Sequence, residues 1–460
     1  MTATETHAHH DNGTLPPIPP IDVGPVRKLA IGAAVVGLGA FAVFTGINLS
    51  ITHETGTRDF FFAWLVGFVF WACPTFGALA LLMIAYLTQA SWGVVYRRIL
   101  QACTRCLPVV VVLFVPIALS LFILDGKSSP FWWSDATVFR VPDEKKNDEQ
   151  FKKAAARNEE NGWTKKISEV AAARNTRPEA IEEEHHKIHD YLNPGLFLAR
   201  FVGYCLILGT LMVLLNRFGR RAEDADEPEA KKKLLGISGP GMVVWCLTMT
   251  FAVTDWVMSV EPTWASSMFP VVFGMNSFII TFSICALVFY TLNQNNQQVL
   301  SIVKNKFRID IGTMLFAATM VWSYATFCQY MLIWAGNLPE EGIYYLRRGN
   351  GGWEYLAYFL MAFHWLIPFV IFLFRSVKTN PNAMRFMACL LLTVCLADVI
   401  WWLIPTFPHP EGGLHVPMAI SAVVGIGGLW GLWFARELAK RPILASNSEV
   451  KFLAAWGHHH

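Results

Sequence analysis

Ten apolar segments constrain this chain more than any other feature of its sequence. Roughly 20 apolar residues are the length that an α-helix needs to cross the hydrocarbon core of a bilayer. Only 15% of the 460 residues are charged and 54% are hydrophobic, whereas about a quarter of a typical soluble domain is charged. The sequence therefore predicts an all-α membrane protein with transmembrane helices at 28–49, 60–88, 104–124, 194–217, 238–260, 266–292, 311–336, 354–376, 383–404 and 416–435.

Lysine and arginine residues are distributed unequally between the two sides that these helices define. One side carries most of the basic residues in the connecting segments, whereas short loops on the other side contain only Arg58, Arg347 and Arg348. Because basic loops remain in the cytoplasm, both termini are predicted to be cytoplasmic. The chain is thereby divided into a cytoplasmic proline-rich arm (1–27), helices 1 to 3 (28–124), a periplasmic insertion (125–193), helices 4 to 10 (194–435) and a cytoplasmic tail (436–460).

The periplasmic insertion is rich in Ala, Glu and Lys over most of its length. It contains a helix-start signal at Ser168, which an acidic residue, Glu169, follows. These features predict a helical insertion. Two interpretations of it remain open: a solvated helical hairpin, or a docking surface for a partner protein.

A small set of polar side chains interrupts the apolar segments. Asp255 is the first to note, because a carboxylate at membrane depth costs about 3 kcal/mol or more unless it has a partner or water. A rise of about 1.5 Å per residue places four of these groups roughly 8 to 12 Å below the outer face, and His364 about 15 Å below it. The candidate residues are Arg200, Asp255, Gln329, His364 and Asp398, together with Glu261 at a helix end beside Pro262.

This shared depth predicts a common polar pocket in the outer half of the membrane. Within it, Arg200 is the expected counter-ion of Asp255 or Asp398, because a buried arginine also needs a partner. The alternative interpretation is that each side chain only holds two helices together. The inner half of the predicted helices offers hydroxyl groups but no comparable acid or base.

A pocket of this composition has the chemistry that quinol oxidation needs. A histidine or a carboxylate can take the proton that a quinol releases, and aromatic residues such as Trp256 offer walls for the ring. A membrane b-type haem would need two axial histidines on facing helices, but only His364 lies within a predicted span. The expected ligands are therefore quinone and lipids, without a bound metal, and the small net charge of +3 gives no indication of nucleic-acid binding.

Several motifs resemble the ActF-type membrane subunit of alternative complex III, a bacterial quinol:cytochrome c oxidoreductase. They are FCQYMLIWAGNLPEE at 327–341, YYLRR at 344–348, GGWE at 351–354, DWVMSVEPTW at 255–264 and YLNPGLFLAR at 191–200. The resemblance extends from helix 1 to helix 10 and excludes the insertion and both termini.

The resemblance implies a fold related to the NrfD-like membrane subunits of polysulfide reductases. Helices 2 to 5 and 6 to 9 would form two four-helix bundles, flanked by helices 1 and 10. It also implies a bacterial inner-membrane complex with multihaem cytochrome subunits, an iron-sulfur subunit and a sister membrane subunit. In this family the sister subunit is the better-supported quinol site, and the subunit that this chain resembles is often proposed to carry a proton path or a second quinone site and to anchor the redox subunits. The sequence leaves two other functions open, a proton-coupled secondary transporter and a purely structural scaffold.

Overall fold

The structure is a computed structural model, and it is helical throughout most of the chain that it describes. No strand is present in the described residues, which are 22–52, 56–135, 149–162, 164–174, 178–186, 190–224, 228–262, 264–293, 305–337, 339–406 and 414–442. The all-α membrane fold predicted from the sequence is therefore confirmed. Most of the proline-rich arm, part of the insertion and most of the C-terminal tail lie outside the described residues.

Ten helical regions in the described part of the chain are long and apolar enough to cross a membrane. Two of them consist of consecutive helices, α3 with α4 and α13 with α14. In chain order the helices are α1 (Gly24–Thr52), α2 (Gly56–Thr88), α3 (Ser91–Thr104), α4 (Leu107–Ser120), α5 (Glu149–Glu160), α6 (Lys165–Arg174), α7 (Pro178–His186), α8 (Pro194–Asp224), α9 (Pro228–Trp256), α10 (Phe269–Leu292), α11 (Asn305–Gly336), α12 (Pro339–Arg348), α13 (Trp353–Leu360), α14 (Ile367–Leu373), α15 (Arg375–Thr379), α16 (Pro381–Leu403) and α17 (His415–Leu438).

The third spanning region begins earlier than the sequence predicted. The predicted start was residue 104, but α3 already begins at Ser91. Arg97 and Arg98 interrupt the apolar pattern here, so hydrophobicity alone did not reveal this part of the helix. In the structure α3 buries Trp92 and Tyr96 against α10, with the Trp92 ring 5.2 Å from that of Phe282.

The spanning helices form two bundles, as the resemblance implied. In the first bundle α2 packs on α3, α4 and α9, and α9 packs on α8. In the second bundle α10 packs on α11 and α16, and α13 and α14 complete the group. Helices α1 and α17 pack along each other and against α2, where Trp71 Nε1 donates to the carbonyl of Val423 at 2.7 Å.

Helices α2 and α10 form the seam between the two bundles. A Cβ atom at Gly77 of α2 would lie only 2.6 Å from the carbonyl oxygen of Ser277 in α10. Small residues at such crossings let two backbones approach closely, which is a common way to join helices in membranes. We call the face where α1 begins the terminal face and the opposite face, where residues 125–193 leave the bundles, the insertion face.

Candidate functional site

Arg200 and Asp255 form a buried ion pair between α8 and α9. Arg200 Nε donates to Asp255 Oδ2 at 2.8 Å, and its Nη2 donates to Oδ1 at 2.9 Å. The hydroxyl of Tyr204, one helical turn further along α8, donates to Oδ2 at 2.7 Å. Because Arg200 is near the start of α8 and Asp255 near the end of α9, the side chains meet close to the insertion face. The predicted pairing of Arg200 with Asp255 is confirmed.

Tyr191, just before α8, contacts the Arg200 side of this ion pair near the insertion face. Arg200 Nη1 donates to the carbonyl of Tyr191 at 2.8 Å, and the guanidinium carbon lies 3.9 Å from the centre of the Tyr191 ring. Burial, followed by the charge of Asp255, raises the pKa of Tyr191 to about 12. Both carboxylate oxygens of Asp255 accept hydrogen bonds from Arg200, and one also accepts from Tyr204. This is the arrangement expected of a structural ion pair.

Trp256 lies in the aromatic core of the first bundle. Its indole packs edge-on against Phe68 and stacks on Phe76, with ring centres 5.5 and 5.7 Å away. Its neighbours on α4 and α8 are also aromatic, and they leave the ring 2% exposed. The residue that the sequence suggested as a wall of a quinone pocket is thus surrounded by protein side chains.

His364 and Asp398 form a second buried pair, in the second bundle. His364 Nδ1 lies 4.0 Å from Asp398 Oδ2, and the two side chains are 0% and 2% exposed. Trp322 of α11 donates from Nε1 to the same Oδ2 at 2.9 Å, and its ring stacks on the imidazole with centres 3.6 Å apart. The other ring nitrogen, Nε2, is 3.7 Å from Cys395 Sγ. An acid and a base are therefore in near contact but not hydrogen-bonded.

His364 lies in a turn of π-helix that spans Met361–Leu366, between α13 and α14. Pro368 is four residues further on and has no N–H group to donate to the carbonyl of His364. A proline at this position also crowds that carbonyl, so a widened turn is the expected response. Such turns are frequent at functional sites, because they turn a side chain out of the regular helical register. Here the turn directs the imidazole toward α11 and α16.

Gln329 lies at the insertion-face end of α11, two turns beyond Trp322. Its Nε2 donates to the hydroxyl of Tyr345 at 3.2 Å, and its Oε1 has no hydrogen-bond partner among the described residues. Tyr345 belongs to α12 and packs its ring against Trp401 at 6.2 Å. Gln329 therefore joins the buried side of α12 rather than the His364–Asp398 pair.

Glu261 connects the two bundles at the insertion face. It follows α9, is buried, and lies 2.9 Å from Arg347 Nη1 and 3.7 Å from Arg348 Nη1. Both arginines end α12 of the second bundle. The residue that the sequence interpreted as a simple helix end thus forms an ion pair between the bundles.

Arg348 is a site residue that the sequence analysis missed. Its guanidinium is fully buried and donates to the carbonyls of Trp401 and Trp402 at 3.0 and 2.6 Å, and to Thr406 Oγ1 at 2.9 Å. Burial lowers the pKa of Arg348, and the tyrosine ring of Tyr344, 3.4 Å from the guanidinium carbon, partly offsets that effect. Since α16 has no basic residue in its own last turn, Arg348 supplies the cation that the helix C-terminus favours.

A cleft of about 450 Å³ opens at the insertion face between the bundles. Arg58 of the first bundle and Arg347 of the second lie on opposite sides of it. Neither buried acid, Asp255 or Asp398, lines it. The remaining lining residues are Phe62, Pro130, Trp132, Val260, Asn350, Gly351, Pro405 and Thr406.

The predicted polar residues do not share one pocket. Arg200 and Asp255 contact each other in the first bundle, whereas His364 and Asp398 contact each other in the second. No hydrogen bond or ion pair links the two groups among the described residues. The contacts thus form two groups rather than one, because equal depth does not determine which way each helix turns its polar side chain.

The first bundle contains another buried acid that the sequence analysis did not select. Asp59 of α2 is 1% exposed and accepts a hydrogen bond at 2.6 Å from Asn48 Nδ2 of α1. His415 at the start of α17 is close enough to interact with it electrostatically. The two bundles thus each hold a buried acid near a histidine, although only the His364–Asp398 pair lies in a widened turn.

Comparisons with known proteins add no assignment to this geometry. Among the described residues, no three His, Cys, Asp or Glu side chains are placed to hold a metal ion. No protein-family model matches the chain, and no curated protein is significantly similar to it. The resemblance to an alternative complex III subunit therefore depends on the quoted motifs alone.

Proposed function

We propose that this chain is the proton-handling membrane subunit of a bacterial respiratory quinol:electron-acceptor oxidoreductase of the alternative complex III type. The observation that carries the proposal is the buried His364–Asp398 pair, whose Nδ1 and Oδ2 atoms are 4.0 Å apart. The motifs at 327–341, 344–348 and 255–264 supply the class of complex. The partners in this proposal are multihaem cytochrome subunits, an iron-sulfur subunit and a sister membrane subunit.

The chemistry of the pair favours a single exchangeable proton. When the pair holds no proton to exchange, Asp398 is a charged carboxylate beside a neutral imidazole. When it holds two, His364 is a charged imidazolium beside a neutral carboxyl group. Each state leaves an unpaired charge in an enclosed site, which is costly. With one proton the pair is either neutral or an internal ion pair. Trp322 holds Oδ2 in place, so a small rotation of the imidazole in its widened turn closes the gap to Asp398 and lets the proton pass.

Direct contact between this pair and a quinone ring fits the geometry poorly. The face of the imidazole that would stack on a quinone is covered by Trp322 at 3.6 Å, and both polar side chains are enclosed. We therefore assign quinol oxidation to another subunit of the complex. The role of this chain is to accept and release protons beside that reaction, in the bacterial inner membrane and with both termini in the cytoplasm.

An exposed aromatic surface on the second bundle supports a membrane partner. Tyrosine and tryptophan carry polar groups that acyl chains cannot hydrogen-bond, and aromatic residues are enriched in protein–protein interfaces. In contrast, α1 exposes Leu, Ile and Val residues, which suit lipid. The aromatic surface on α11 and α13 comprises Tyr324, Phe327, Tyr330, Trp334, Tyr355 and Tyr358.

The decisive experiment compares two isosteric acid variants in the intact complex. Asp398→Asn keeps an acceptor for Trp322 but removes the titratable oxygen, so we expect proton transfer to slow by on the order of 100-fold. Asp59→Asn is the matched control, because it changes a buried acid that also lies near a histidine. Complexes are purified, their subunit content is verified, and quinol oxidation and proton movement are measured after reconstitution in vesicles.

Two outcomes would contradict this proposal. Unchanged proton movement in Asp398→Asn, with all subunits assembled, would leave the chain with a scaffold role. Solute accumulation driven by a pH gradient, in vesicles that hold this chain alone, would make it a secondary transporter.

A further inference from the structure

The cleft between the bundles is built mainly from segments that connect the spanning helices. Of its lining residues, only Arg58, Phe62 and Arg347 belong to α-helices, and the others lie in the segments that follow α4, α9, α12 and α16. Its volume of about 450 Å³ is within the range that ligand pockets have. The cleft therefore lies among the loops of the insertion face, where an occupant would enter from the aqueous side.

Positive charge exceeds negative charge on the wall that the second bundle forms. Arg347 and Arg348 lie 2.9 and 3.7 Å from the oxygens of the same carboxylate, Glu261. No other described carboxylate pairs with either arginine. Two guanidinium groups against one carboxylate leave one positive charge. On the opposite wall Arg58 interacts electrostatically with two carboxylates, so the excess belongs to the second bundle.

Arg347 presents this excess charge to the cleft. Its side chain is 47% exposed, whereas Arg348 is 1% exposed and donates to backbone carbonyls. No described residue accepts a hydrogen bond from Nε or Nη2 of Arg347. A guanidinium binds a carboxylate best through two parallel hydrogen bonds from neighbouring nitrogen atoms. Arg347 can therefore take a second carboxylate while its Nη1 stays beside Glu261.

The cleft also has an apolar wall, which a purely charged ligand would leave uncovered. Trp132 is half-buried there, and Phe62, Val260, Pro130 and Pro405 line the same space. Tryptophan and arginine in a pocket are the residue types that most often dominate the energy of protein–protein binding. The lining thus suits a group that carries a carboxylate beside an apolar side chain.

We infer that this cleft binds an acidic side chain, together with an apolar neighbour, from an extracytoplasmic subunit of the same complex. The carboxylate would accept from Nε and Nη2 of Arg347, and the apolar neighbour would pack on Trp132. A free acid is disfavoured, because one exposed ion pair contributes less than about 1 kcal/mol. A lipid is disfavoured, because loops form most of the lining. The inference rests on the proposed function, which supplies the subunits.

Photo-crosslinking in the intact complex identifies the occupant. The photo-reactive residue replaces Asn350, which is exposed, lines the cleft and belongs to no ion pair among the described residues. The complex is irradiated, and the cross-linked peptide is sequenced by mass spectrometry. We expect a segment of an extracytoplasmic subunit in which Asp or Glu adjoins an apolar residue.

The dissociation rate of that subunit from immobilised complex tests the contact itself. Arg347→Gln should fold, because this side chain is 47% exposed, and should accelerate dissociation about tenfold. Replacement of the captured acid by its amide should have an equal effect, and the two changes together should add little, because both remove the same contact. Arg375→Gln, an exposed arginine near the terminal face, is the control and should change the rate by less than about twofold.

Several results would overturn the inference. They are a cross-link to lipid, to this chain alone or to nothing, a captured segment without an acid, additive effects of the two changes, and equal rates for Arg347→Gln and Arg375→Gln. If the chain purifies without any extracytoplasmic subunit, the proposed function fails as well. If such a subunit is present but attaches elsewhere, only this inference fails.

Discussion

Removing one member of the Arg200–Asp255 pair should destabilise the protein nearly as much as removing both. Breaking a buried ion pair at one partner typically costs about 3 to 5 kcal/mol, because the other charge remains buried. Arg200 is 20% exposed and keeps the carbonyl of Tyr191, so Asp255→Asn should cost about 3 kcal/mol. Asp255 is 1% exposed and would keep only Tyr204, so Arg200→Gln should cost about 4 kcal/mol. The double variant should cost about 4 kcal/mol, which is about 3 kcal/mol less than additivity requires.

Denaturant-induced unfolding in detergent micelles, followed by tryptophan fluorescence, measures these free energies. Arg347→Gln is the control, because Arg347 is 47% exposed and Glu261 keeps Arg348 as a neighbour. It should cost less than about 1 kcal/mol. If the effects of Arg200→Gln and Asp255→Asn are additive, the two charges do not depend on each other and the structural role assigned to this pair is refuted.

Three further predictions address the seam, the buried tyrosines and the aromatic surface. Gly77→Ala should destabilise the protein by about 1 to 3 kcal/mol because its Cβ has no room, whereas Gly46→Ala, which meets no atom, should be neutral or slightly stabilising in the same unfolding assay. Burial raises the pKa of Tyr344 to about 12, so the stability it contributes is fully present below pH 10 and is lost as the pH rises to about 12. The thermal unfolding temperature should therefore fall less steeply between pH 9 and pH 11.5 in Tyr344→Phe than in the unchanged protein. Equal slopes would contradict the assignment. A photo-crosslinking residue in place of Tyr355 should capture a membrane subunit of the complex, whereas one in place of Val35 should capture lipid; the reverse pattern would exclude the aromatic surface as an interface.

The positions of the spanning helices were predictable because the bilayer imposes one length on each of them. All ten predicted segments correspond to helices in the structure. The largest difference in extent, at α3, shows the limit of that reasoning. Arg98 is buried there although it lies in the first half of the spanning region, and a hydrophobicity pattern treats such a residue as a helix end.

The candidate site was predictable only in part, because the sequence gives the depth of a polar residue in the membrane but not the direction in which its side chain points. The pairing of Arg200 with Asp255 followed from the need of each charge for a partner. Which helices would face each other did not follow, so His364 and Asp398 were assigned to the same pocket as that pair. Their separation depends on helix rotation, which tertiary packing determines, and on the widened turn before Pro368.

Arg348 could not be identified because its partners are distant in sequence. It binds the carbonyls of residues more than 50 positions away, and nothing local distinguishes it from the exposed Arg347. A useful signal would have been the end of α16, whose last turn contains no basic residue. A search for an arginine that could donate to the free carbonyls at such a helix end would have selected the YYLRR motif.

The seam at Gly77 limits how this protein can move. Carriers that expose a central site alternately to each side of the membrane do so by rocking one helical half against the other. Here the halves touch backbone to backbone at α2 and α10, and Glu261 with Arg347 joins them again at one face. Large relative rotation would have to separate both joints at once. If this chain handles protons as proposed, their transfer must then depend on movements within one bundle, on the scale of a single side chain rather than a domain.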